Sequence, residues 1–156
     1  MSLATKYSCL KKIKDMINTQ DNLIVDKHTR TILIQQRSAT RNLFPLCWDF
    51  VGGHLEFDES AKQCIKRELL EETGMQLINI IKQVHEFAWH YDNHEVIDKV
   101  FIIEAQGEIQ LEEGKAIQAK WIKRDEAYLL LKPNEAHNEM YQAILNAFDV
   151  LEQENL

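Results

Sequence analysis

Two prolines, five glycines and three cysteines are all that 156 residues hold of these types. That scarcity excludes several architectures. No stretch reads as a linker or a low-complexity segment, and no internal repeat occurs, so residues 1–156 are taken as one domain. Residues 1–3 are set aside as an expression scar. Cys9, Cys47 and Cys64 are odd in number and lack metal-ligand spacing. Reduced thiols in a cytoplasmic protein are expected, with Cys64 as small core packing. No apolar run is long enough to span a bilayer, and no basic segment followed by an apolar stretch marks a secretory signal.

Positive charge is also short. Eighteen Lys and Arg face 25 Asp and Glu, a formal charge of -7. Coating nucleic acid requires basic surface, so no nucleic-acid partner and no membrane partner is expected. The distribution is uneven. Residues 27–48 carry Lys27, Arg30, Arg37 and Arg41 and no acidic residue. A basic stretch beside an acidic cluster suits a polyphosphate; it equally suits an ordinary hairpin surface.

What is present reads as a layered α/β domain. An apolar fraction of 45% is ordinary for a globular chain and supplies one core. Residues 7–18 read as a weak helix. Residues 23–25 and 31–36 are β-rich runs around a polar turn at 26–30, a hairpin. Residues 38–45 form a loop, and 48–51 a short strand leading to Gly52 and Gly53, a pair that permits close backbone approach to a ligand or ion. Residues 76–89 give one or two strands, Asp92 and Asn93 a turn, and 95–105 another strand. An acidic loop at 108–114 precedes a strand at 117–122. A short helix over 125–131 stops before Pro133. A stronger helix over 135–151 shows Met140, Tyr141, Ile144, Leu145, Phe148 and Leu151 as one apolar stripe.

The stretch between Gly53 and Met75 organises the rest. Asp58 is the expected N-cap, Glu59 adds negative charge to the first turn, and Gly74 ends the helix. The helix is expected to run about fifteen residues, roughly 22 Å. Ala61, Ile65 and Leu69, with Cys64 beside them, form its apolar stripe. At 100° per residue, Glu71 lies about 60° to one side of Glu68 and Glu72 about 40° to the other, so three carboxylates share a face. Like charges at this spacing repel, and the helix dipole disfavours them at its C-terminal end. Either the cluster faces water or a divalent cation relieves it. Oxygen-only ligands suit Mg2+ or Mn2+ better than zinc.

Gly53, Glu59, Arg67, Glu68, Leu69, Glu71, Glu72, Gly74 and Met75 together resemble the Nudix box, Gly-x5-Glu-x7-Arg-Glu-U-x-Glu-Glu-x-Gly-U with U apolar, at every fixed position. The resemblance implies a Nudix α/β/α sandwich with a mixed sheet between helices. It implies Glu68 and Glu72 as metal ligands, Glu71 as ligand or water-activating base, and the Gly53 carbonyl as a further ligand. Arg67 would pair with Glu59 and orient the glutamates; a surface ion pair is the plainer reading. The family often carries another glutamate before a Trp-bearing strand. Here Lys115 and Ala116 stand where it is sought before Trp121. Glu112 and Glu113 are near but out of register, so the general base stays open.

For substrate, Arg37, Arg41, Gly52, Gly53 and Tyr91 are the expected contacts. Trp89, His90, Tyr91 and His94 lie in a hairpin that either lines a base pocket or packs across strands. Tyr91 resembles a mark of dinucleoside polyphosphate hydrolases. Residues 33–53 loosely resemble a coenzyme A diphosphatase motif, with Arg41 out of register and Val51 in place of a proline. The downstream proline of ADP-ribose hydrolases is absent. Isopentenyl diphosphate isomerases, also similar, have a cysteine where Gly52 stands. The expected activity is a metal-dependent pyrophosphohydrolase on a small nucleoside diphosphate linked to another group. A non-catalytic nucleotide-sensing module is the alternative, and the oligomeric state, homodimer included, is left open.

Overall fold

The computed structural model describes residues 16–131 and 138–153. Seven strands form one mixed sheet: β1 (Met16–Asp26), β2 (Thr31–Arg37), β3 (Trp48–Asp49), β4 (Val51–His54), β5 (Gln76–Tyr91), β6 (His94–Gln106) and β7 (Ala116–Ile122). Among the described residues three helices complete it: α1 (Ala61–Thr73), α2 (Arg124–Leu131) and α3 (Asn138–Gln153).

The sheet is built on β1. It runs parallel to β6 from Met16↔Glu95 to Ile24↔Ile103. On its other edge it forks: Thr19 to Asn22 pair antiparallel with β4, and Ile24 to Asp26 with β2. The β1–β2 turn follows the expected chemistry. Asp26 Oδ1 accepts from the amides of His28 (2.8 Å) and Thr29 (3.1 Å), and Arg30 takes φ 55°. Asp92 and Asn93, at φ 46° and 64°, close the long β5–β6 hairpin.

Side chains alternate across the sheet, which gives two cores. On one face Ile24, Leu33, Val51 and Ile103 meet Ile65, Leu69 and Met75 beneath α1. On the other, Leu23, Val25, Ile32, Ile34, Val100 and Ile102 meet Ala143, Ile144, Phe148 and Leu151 of α3 and Ala127 and Leu131 of α2. The result is the expected α/β/α sandwich. No helix among the described residues is long and apolar enough to cross a membrane.

Four expectations change. Met16 to Asn18 are strand, not helix, because β6 supplies a complete parallel hydrogen-bonding edge; residues 7–15 lie outside the described residues, as do 135–137 of the last helix. Residues 48–51 are two short strands, interrupted at Phe50, whose amide donates to Asp49 Oδ1 at 2.6 Å. Helix α1 has 13 residues and is capped by Ser60. Ser60 Oγ accepts from Gln63 N, and Gln63 Oε1 accepts from Ser60 N, a reciprocal capping box. Asp58 instead sits in the preceding turn at φ 59°, and Glu59 lies outside the helix. Ala61 is exposed, so the buried stripe is Cys64, Ile65 and Leu69.

Candidate active site

Strand β4 carries the two glycines past α1, and both are required by packing. A Cβ on Gly53 would lie 2.2 Å from Glu68 Oε1; one on Gly52 would lie 2.4 Å from Asp21 Oδ1. Gly53 points toward α1 and Gly52 toward the opposite face, as alternation demands. Within the protein itself, the close approaches at this pair are to the Gln20 carbonyl and to the Asp21 and Glu68 carboxylates.

Arg67 is the hub of the helix's acidic cluster. Its Nε and Nη2 donate to the two oxygens of Glu59 at 2.8 and 2.9 Å. Nη1 donates to Glu68 Oε1 at 2.6 Å and stands 3.5 Å from Glu71 Oε2. Nη2 also donates to the His54 carbonyl at 3.0 Å. The bidentate geometry makes this more than a loose surface pair. Arg67 holds the Glu59 carboxyl down at about 2, with help from the Glu56 amide. The ion pair ties the loop before α1 to the helix.

The three glutamates differ in setting. Glu68 and Glu72 are buried, while the Glu71 side chain is half-exposed. Glu72 Oε2 accepts from Gln35 Nε2 at 3.0 Å and from the Gly52 amide at 3.3 Å. Burial pushes its pKa up to about 8; Gln35 opposes the shift and the charges of Glu68 and Asp49 add to it. A buried carboxylate with acidic neighbours is a setting that a cation stabilises. Among the described residues, no three acidic, His or Cys side chains converge on one point. An ion would need Glu68 to turn from Arg67. The donor set of carboxylates and a backbone carbonyl still fits a hard divalent ion.

On the other face, Asp21 is joined by Asp98 of β6. Trp89 Nε1 donates to Asp98 Oδ2 at 2.7 Å. Burial raises Asp98 to about 6, and it raises Asp21 together with the charges of Asp98, Asp49 and Glu72. Trp89 stands 6.3 Å from Phe44 and 6.3 Å from Tyr91, ring centre to ring centre. Tyr91 thus belongs to an aromatic row above an acidic floor.

Of the expected basic contacts, Arg37 is engaged: it donates to Asp49 (2.8 Å) and to the Leu43 carbonyl (2.9 Å). Arg41 has no side-chain partner among the described residues. Lys115 pairs with Glu112 at 2.9 Å, next to the end of α1. No sequence signal marks Gln35, Asp21 or Asp98 as part of the site. Each is a polar residue in a β-rich run, and alternation alone does not show what lies across the sheet.

The family model for the NUDIX domain matches residues 19–144. This chain belongs to the Nudix family. The NAD-capped RNA hydrolase NudC of Mannheimia succiniciproducens is 36% identical over 78 residues, 50% of this chain and 28% of that protein. The m7GpppN-mRNA hydrolase NUDT17 of Xenopus laevis is 38% identical over 55 residues, 35% of this chain and 19% of that protein. The chain thus spans under a third of these relatives' lengths. The crystal structure of the MutT protein of Methanosarcina mazei Go1 superposes with a TM-score of 0.71 at 21% identity, over 89% of this chain and 96% of that one. That likeness shows the Nudix fold. Within it, the box glycines and Arg67 acquire physical roles: Gly53 seats Glu68, Gly74 ends α1 at φ 70°, and Arg67 fastens Glu59 to the glutamates.

Proposed function

We propose that the chain is a divalent-metal-dependent pyrophosphohydrolase that splits the phosphoanhydride of a nucleoside diphosphate linked to a further group. The observation that carries this is Glu72, a buried carboxylate beside Glu68, fixed by Gln35 and Gly52 on the helix that Arg67 braces. Glu68, Glu72, Glu71 and the Gly53 carbonyl would hold Mg2+ or Mn2+, which neutralises phosphate oxygens and acidifies a bound water. Gln35 and the Gly52 amide fix which Glu72 oxygen remains available. Arg67 restrains Glu68 and limits its rotamers. Glu71, half-exposed, would serve either as a further ligand or as the base that takes a proton from attacking water. The nucleoside would lie on the opposite face, its base against Trp89 with Phe44 and Tyr91 to either side and Asp98 beneath. The names of the two relatives, hydrolases of NAD-capped RNA and of m7GpppN-mRNA, suit a substrate with a nucleoside on a phosphate bridge.

The test is a panel of nucleoside di- and triphosphates, dinucleotides and capped oligonucleotides, each with Mg2+. Release of a nucleoside monophosphate from at least one is expected. No product from any of them would sink the hydrolase and favour a nucleotide-sensing module.

A further inference from the structure

The acidic loop before β7 is strapped to the site on two sides. Its amides at Gln110 and Glu112 donate to the carbonyls of Thr73 (2.7 Å) and Glu72 (3.1 Å) at the end of α1. On the other side the Ser38 amide donates to the Lys115 carbonyl (2.8 Å) and the Thr40 hydroxyl to the Gly114 carbonyl (3.4 Å). Lys115 leaves this strap with its ammonium 2.9 Å from Glu112 Oε2. That oxygen is buried and, among the described residues, has no partner besides the Lys115 ammonium, so the ion pair is what compensates it. The Lys115 side chain is 39% exposed. Its ammonium also feels Glu72 and Glu68, which join Glu112 in keeping it protonated.

The charge balance gives this lysine a task. Three glutamates and a diphosphate bring more negative charge than one divalent ion neutralises. Arg67 is committed to Glu59 and Glu68, and Arg37 to Asp49. Among the described residues the Lys115 ammonium has one partner, Glu112, and it sits on a flexible stem in the loop tied to the end of α1. We propose that Lys115 is a substrate-binding residue that exchanges Glu112 for a non-bridging phosphate oxygen of the substrate, Glu112 being its resting partner. The inference rests on reading the site as one for phosphoanhydrides.

The probe is inorganic pyrophosphate, titrated by calorimetry in the presence of Mg2+, so that turnover is not required. Lys115→Met is expected to weaken binding by roughly tenfold or more, the value of one charge-assisted hydrogen bond. Lys115→Arg is expected to keep it. Glu112→Gln is expected to bind as tightly as the unaltered protein or more tightly, because it releases the lysine. A lysine that merely ties the loop down predicts otherwise: either half of the broken pair would then do equal harm. Equal weakening in Lys115→Met and Glu112→Gln overturns the proposal. So does unaltered binding in Lys115→Met, or no pyrophosphate binding by the unaltered protein. Binding that follows the expected pattern in a protein that hydrolyses nothing would overturn the hydrolase reading and leave Lys115 its role. Thermal unfolding of each variant verifies that it is folded.

Discussion

Glu72 is the buried carboxylate on which the proposed metal site rests, and burial disfavours its charge. Its pKa in the folded protein, about 8, lies above the ordinary carboxylate value of 4.5. Between those two values the folded chain binds a proton that the unfolded chain has lost. Stability therefore falls as pH rises through that window and levels off above it. Glu72→Gln removes the penalty. It is expected to abolish turnover by orders of magnitude, yet, without metal, to melt no lower than the parent near pH 5 and higher near pH 8.5. An active variant would overturn the metal assignment. At the same scale, Trp89→Ala is expected to raise KM for a nucleotide substrate by about tenfold, the cost of one lost stacking partner, with a smaller change in kcat. An unchanged KM would move the base elsewhere. The box glutamates and Arg67 were legible because their spacing is long and specific. Asp98 was not, since its meaning comes from Trp89, nine residues away across a hairpin.

Among the elements, α1 shows how far local signals reach. Its C-terminal stop at Gly74 was readable, because the left-handed residue it requires is glycine. Its start was misread by two residues: Asp58 and Ser60 are both good caps. The signal that decides between them is Gln63, three residues after Ser60, which completes the reciprocal pair. Ser60→Ala is expected to cost about 1 kcal/mol and Asp58→Ala markedly less, as measured by urea unfolding. The reverse order would return the cap to Asp58. Strand β1 was misread at its N-terminal end for a different reason. The pattern of residues 16–18 is weak, and their partner edge, Glu95 to Ile97, is almost eighty residues away. Tertiary pairing overrode local preference there.

For the whole molecule, the sandwich was expected from the Nudix resemblance, whereas the fork in β1 and its parallel pairing with β6 follow from no local pattern. An ion held at the proposed site should act on the stability of the whole. Mg2+ is expected to raise the melting temperature, and more near pH 8.5 than near pH 5, since the ion competes with the proton on Glu72. Differential scanning calorimetry at both pH values is the check. An equal rise at both, or none, would place the ion away from this carboxylate.

Gly52 and Gly53 have a last consequence. Neighbours in sequence, they seat Asp21 on one face and Glu68 on the other, and Glu72 is among the charges that raise Asp21. One bare strand separates the Asp21 side from the Glu68 side. Acid groups on either side repel through it, so whatever neutralises one compartment eases ionisation in its neighbour.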